Sequence, residues 1–142
     1  MFVSDILAEK GNLVFSTAPQ ATVAQVAEQL SVRRVGSVLV LQDNEVIGVI
    51  SERDVVRAMA QHGAAALTME VRRIMTADVV TCDPDDTIEQ VMMTMTRGRF
   101  RHLPVMRHGD LLGLVSIGDV VKARLTETQV EAEALKAYIV AS

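Results

Sequence analysis

The sequence predicts a mixed α/β (α+β) chain of two pseudo-symmetric repeats, each a strand, a helix, a β-hairpin and a second helix around a small three-stranded sheet. Three observations carry this. Val14–Ala58 aligns without a gap on Val79–Ala123 at a shift of 65 residues, with 13 identities in 45 positions, against roughly three expected from average composition. Within each copy the apolar pattern passes from a short run, to helical spacing, to two β-rich runs about a tight polar turn. The 142 residues are 49% hydrophobic, enough for a core, although neither half is large enough to bury its apolar faces alone.

Each copy follows the same order. LVFS (13–16) and VVTC (79–82) read as short apolar strands, stopped by Pro19 and Pro84, since proline offers no ladder donor. A helix follows in both. Thr22 with Gln25, and Thr87 with Gln90, have the spacing of a capping box, in which a hydroxyl and an amide satisfy two backbone N–H groups reciprocally. Val23, Val26, Ala27 and Leu30, and then Ile88, Val91, Met92 and Met95, form the i, i+3, i+4, i+7 stripe of a buried helical face. VLVLQ and EVIGVIS about Asp43-Asn44, and LPVMR and DLLGLVS about His108-Gly109, read as hairpins. A second helix starts after Ser51 and after Ser116; Gly63 suits a C-terminal cap for the first, and the other continues through TETQVEAEALKAYIV. VSDIL (3–7) and VRRIM (71–75) form matching lead-ins, with three extra residues around EKGN in the first copy. The segments are 1–64 and 65–126 for the repeats and 127–142 for a helical tail.

Composition excludes several functions. Aromatic residues make up only 3%, so the core is aliphatic, with eight Met as adaptable filler. A net charge of −4 argues against a nucleic-acid partner, because phosphate backbones reward a surplus of Lys and Arg. The single Cys82 cannot make an internal disulfide, no apolar run approaches a membrane span, and the acidic start MFVSDILAEK is unlike a signal peptide. A cytoplasmic protein with no membrane association is the expectation.

With these residues in view, the chain resembles a tandem pair of cystathionine-beta-synthase (CBS) domains, a Bateman module, of the stand-alone bacterial type. The carriers are the two lead-ins, the Pro and Thr of APQAT and DPDDT, RHLPV (101–105), and the paired stretches GVISERDVVRA and GLVSIGDVVKA. The resemblance implies a regulatory module that binds an adenosine-containing ligand, AMP, ADP, ATP, S-adenosylmethionine or NAD(H), without chemistry and without a required metal. It also implies a homodimer that acts as an energy or redox sensor by ligand-dependent conformational change, read by a downstream protein it does not name.

Carried over residue by residue, the resemblance sets Ser51, Arg53 and Asp54 with Thr76, Ala77, Val79, Phe100, Arg101 and His102 in one cleft between the repeats. It sets Ser116, Gly118 and Asp119 with Gly11, Asn12, Val35, Gly36 and Ser37 in the other. The first is rich in cations for phosphate; the second replaces Arg53 with Gly118 and Arg101-His102 with Gly36-Ser37, losing charge and gaining space. Leu39 stands where the other copy has Pro104, a departure from the family pattern at that cleft.

The residues alone support two compatible readings of Ser51-x-x-Asp54 and Ser116-x-x-Asp119. One is a plain helix cap. The other is a ligand site, because a helix N-terminus attracts anions and one carboxylate can accept from both vicinal ribose hydroxyls. Gly48 and Gly113 would allow close approach or serve as small strand residues. Arg97 and Arg99 read as cations at a helix end. His62, His102, His108 and Cys82 lack metal-ligand spacing, and Asp83, Asp85 and Asp86 fit a helix N-terminus better than a catalytic pair. No enzyme activity is expected. The rival is a structural or interaction homodimer with vestigial nucleotide sites, using the tail helix as its partner surface.

Overall fold

The computed structural model describes residues 1–141. Helix α1 (Val3–Lys10) is followed by β1 (Ser16–Thr17), α2 (Val23–Arg33), β2 (Ser37–Gln42), β3 (Glu45–Ser51) and α3 (Glu52–His62). Two short 3-10 segments, Gly63–Thr68 and Val71–Arg73, lead into α4 (Ile88–Gly98), β4 (His102–Arg107), β5 (Asp110–Ser116) and α5 (Ile117–Ala141).

The chain forms two compact units. One is Val14–Val79; the other combines Met1–Leu13 with the chain from Val80 onward. Each unit therefore takes the lead-in that precedes the other unit's repeat in sequence. In the first unit, Val71 packs with Val23, Val26, Leu30, Val38, Val40, Ile50 and Val55. In the second, Val3 and Ile6 of α1 pack with Ile88, Val91, Met95, Leu103, Val105, Val115 and Val120. The helical stripes read from the sequence are the buried faces of α2 and α4.

Local chemistry explains the matching elements. Gln25 N–H donates to Thr22 Oγ1 (3.2 Å) while Thr22 N–H donates to Gln25 Oε1 (2.9 Å), and Thr87 and Gln90 repeat the exchange at 3.1 and 2.8 Å. Both hairpins turn through two left-handed residues, Asp43 (φ 52°) and Asn44 (φ 65°), then His108 (φ 52°) and Gly109 (φ 80°). That is the turn whose twist suits antiparallel strands. The shared Arg34 and Arg99 occupy the left-handed caps of α2 and α4, at φ 55° and 57°, a position more often filled by Gly.

The expected first strands are the one correction to the element order. Of residues 13–16 only Ser16 enters a strand, β1 (Ser16–Thr17), which pairs in parallel with Leu39 and Val40. Residues 79–82 give a single parallel bridge from Cys82 to Val105. The first unit thus has the three-stranded sheet β1-β2-β3 and the second a two-stranded sheet, β4-β5, with that bridge beside it. Pro19 and Pro84 end the pairing two residues on, and Leu13 is 75% exposed, so neither segment has the buried length for a longer ladder.

Candidate functional site

In both units β-strand and helix meet at a serine cap. Ser51 ends β3 and caps α3: Asp54 N–H donates to Ser51 Oγ (3.3 Å), and Asp54 Oδ2 accepts from Ser51 N–H (2.9 Å) and Ser51 Oγ–H (3.0 Å). Ser116 does the same for α5, with Asp119 N–H to Ser116 Oγ at 3.2 Å and Ser116 N–H to Asp119 Oδ2 at 2.9 Å. The next helical N–H is met by a neighbouring strand: Glu52 N–H donates to Gly36 O (3.0 Å) and Ile117 N–H to Arg101 O (2.8 Å). Register places Ser37 opposite Ser51 and His102 opposite Ser116. The capping reading is therefore correct in both copies, and it leaves Oδ1 of Asp54 outside the cap.

Asp54 is buried at 8% exposure. Its Oδ1 lies 3.9 Å from the exposed Arg57 guanidinium, at the limit of an ion pair. Ser37 is also buried, and its hydroxyl has no hydrogen-bond partner among the described residues. Thr76 reaches the same neighbourhood, exchanging two backbone hydrogen bonds with Val49 at 3.0 and 2.9 Å. Within the first unit the fold thus gathers Gly36, Ser37, Ser51 and Asp54 at one helix N-terminus, with Thr76 bridged to Val49 two residues before Ser51. Arg53, Thr76 and Ala77 are exposed, and Val35 and Val79 are half-buried.

The matching place in the second unit differs because of Lys10. Leu114 holds the position of Val49, and its carbonyl accepts from Lys10 Nζ (2.9 Å) instead of from a lead-in backbone N–H. The same ammonium donates to Asp119 Oδ2 at 2.6 Å. Burial alone would raise the Asp119 carboxyl, but the Lys10 hydrogen bond, the Ser116 N–H and the Lys10 charge outweigh it and hold the group below its ordinary value. Lys10 belongs to the extra EKGN residues: these extend α1 by a turn, where the other lead-in is only the short 3-10 segment Val71–Arg73. Arg101, Gly118 and Asn12 are exposed in this unit, and Phe100 and His102 half-buried.

The two glycines of the repeated stretch hold the lead-ins in place. A Cβ on Gly48 would clash with Met75 Sδ, and one on Gly113 would stand 2.8 Å from Leu7 Cδ2. The open space anticipated beside them is filled by lead-in side chains.

Other candidates have structural roles. Asp86 Oδ2 accepts from Asp83 N–H (2.9 Å), and Arg107 pairs with both Asp83 and Asp85. Burial, then the charges of Asp86 and Asp83, push the Cys82 thiol up to about 12, so it stays protonated and unreactive near neutrality. Among the described residues no group of three His, Cys, Asp or Glu could hold a metal ion, and no helix is long and apolar enough to cross a membrane.

Two stretches of the chain, 4–61 and 71–126, match the CBS domain. The chain belongs to the CBS domain family. It is 44% identical to a CBS-domain containing protein from Agrobacterium tumefaciens, whose crystal structure it matches at TM-score 0.85 over 87% of this chain and 99% of that one. It is 32% identical to the mitochondrial CBS domain-containing protein CBSX3 of Arabidopsis thaliana, across 96% of this chain and 71% of that protein. The CBS domain pair of protein MJ0100, solved with 5′-methylthioadenosine and S-adenosyl-L-methionine, shares the fold at TM-score 0.77 and 21% identity, over 91% of this chain and 98% of that one.

Sequence reasoning named Ser51, Asp54, Ser116 and Asp119 but missed Lys10. The signal was the length of the EKGN insertion. A lysine beside an extra helical turn carries no motif, and its target lies 109 residues away.

Proposed function

We propose that this CBS pair is a regulatory module, not an enzyme, and binds an adenosine-containing ligand such as AMP, ADP, ATP or NAD(H) through the Asp54 site. One observation carries the reading: a buried carboxylate whose Oδ2 is engaged by its own cap while, among the described residues, Oδ1 faces a distant, exposed Arg57. Such an oxygen accepts a ribose hydroxyl as a charge-assisted bond, worth about 1.5–3 kcal/mol. The buried Ser37 hydroxyl and the start of α3 add a polar partner and a phosphate-compatible dipole end. The bound adenosine ligands of MJ0100 support the ligand class.

Asp119 plays a lesser part in this reading, because Lys10 already gives it a cationic partner. The functional asymmetry of the two copies follows from Lys10 more than from the exchange of Arg53 for Gly118. Within the first unit Arg53 supplies positive charge for phosphate, beside Gly36 and Ser37; in the second unit Arg101 and His102 stand beside Ser116. Ligand occupancy shifts a conformational equilibrium of a cytoplasmic homodimer, by no more than the ligand's differential affinity for the two states. A downstream protein reads the change.

Isothermal titration with AMP, ATP, NAD, NADH and S-adenosylmethionine tests this directly. At least one should bind, and Asp54→Ala should weaken that ligand about 10-fold or more, with Asp119→Ala costing less. No heat and no thermal shift from any of the five at millimolar concentration would leave the interaction-protein reading in its place.

A further inference from the structure

Helix α5 outruns its unit. Its last buried positions are Val120 and Ala123, and Glu127 is held by the N-terminal amine of Met1 at 2.9 Å. From Thr128 through Tyr138 no residue is buried. The CBS match ends at residue 126, so this arm lies beyond the matched domain. The 14 residues Thr128–Ala141 extend for about 21 Å. A helix of that length with its described residues exposed is marginal in water on its own.

The arm carries a seam. Val121, Leu125, Thr128, Ala132 and Leu135 recur at alternating intervals of four and three residues, and Ile139 continues the spacing. Val121, Leu125 and Leu135 are 44%, 63% and 60% exposed. This is the a/d pattern of a coiled coil, with Leu125 and Ala132 at a and Val121, Thr128 and Leu135 at d. The flanking g positions are then Arg124, Glu131 and Tyr138, and the e positions Lys122, Gln129 and Lys136.

Charge decides which partner fits. In a parallel pair, g of one helix meets e of the next heptad on its partner, so Glu131 of each copy faces Lys136 of the other, twice over. In an antiparallel pair, g meets g and e meets e, which sets Glu131 against Glu131 and Lys122 against Lys136. We infer that residues Val121–Ile139 of two copies of this chain associate as a parallel, in-register coiled coil. This names the surface of the proposed homodimer and does not depend on nucleotide binding.

The test uses the full chain. Wild type should sediment as a dimer at micromolar concentration, and Leu135→Lys should raise the dimer dissociation constant at least 10-fold. Leu135→Cys should oxidise to a covalent dimer through 135–135, because buried Cys82 does not compete; in an antiparallel pair Leu135 would face Leu125 and the bond would not form. A monomeric wild type, a Leu135→Lys protein as dimeric as wild type, or no 135–135 crosslink would each overturn the inference. The nucleotide titration of Leu135→Lys should match wild type, so failure of the coil and failure of the ligand site are read separately.

Discussion

Asp54 and Asp119 occupy the same place in a repeated stretch and share the serine cap, yet only Asp119 is met by the ammonium of Lys10. Lys10 lowers the Asp119 carboxyl, so the pair stabilises the fold fully above the unfolded value of about pH 4 and loses that contribution as pH falls through the lower folded-state value. Lys10→Met should therefore reduce the melting temperature near neutrality, and the gap to wild type should close below about pH 4. A gap that persists undiminished to about pH 2 would assign the loss to packing instead of charge. Lys10 is 37% exposed, so added salt should also shrink the gap. The cap itself was legible in the sequence, because Ser, x, x and Asp are local. The cation was not, because nothing local pairs residue 10 with residue 119.

Helices and hairpins were the most legible part of the chain. Capping hydroxyls, apolar spacing and left-handed turn residues act within a few positions, and they place α2, α4 and both hairpins where the sequence expects them. The first strands were the exception, since their pairing depends on a distant partner strand. The repeated glycine belongs to this scale as well: it lets a lead-in lie against a strand, with Met75 over β3 and Leu7 over β5. Gly48→Ala should destabilise the protein by about 1–3 kcal/mol through overpacking. Gly113→Ala should cost less, because only the mobile methyl end of Leu7 stands in the way. Urea unfolding measures both, and equal, negligible losses would mean that the lead-ins yield freely.

For the molecule as a whole, the units are not the halves of the chain. Val3 and Ile6 complete the core of the second repeat, and Val3 N–H donates to Asp86 O at 2.9 Å. Deleting residues 1–10 removes two core side chains, Val3 and Ile6, whose burial is worth about 1.5–3 kcal/mol each. Hydrogen exchange should then show α4 and β5 losing protection while α2 and β2 keep theirs; uniform loss would mean that the two units unfold as one. The sequence by itself determined the duplication, the order of helices and hairpins, and the two serine caps with their carboxylates, because each rests on spacing or short-range hydrogen bonding. Only the tertiary structure decided which lead-in completes which core, that a lysine occupies one carboxylate while leaving the other, and that the glycines hold packing space. Those outcomes come from contacts between segments far apart in the chain, where a side chain's target is chosen by how the core closes and not by its neighbours in sequence.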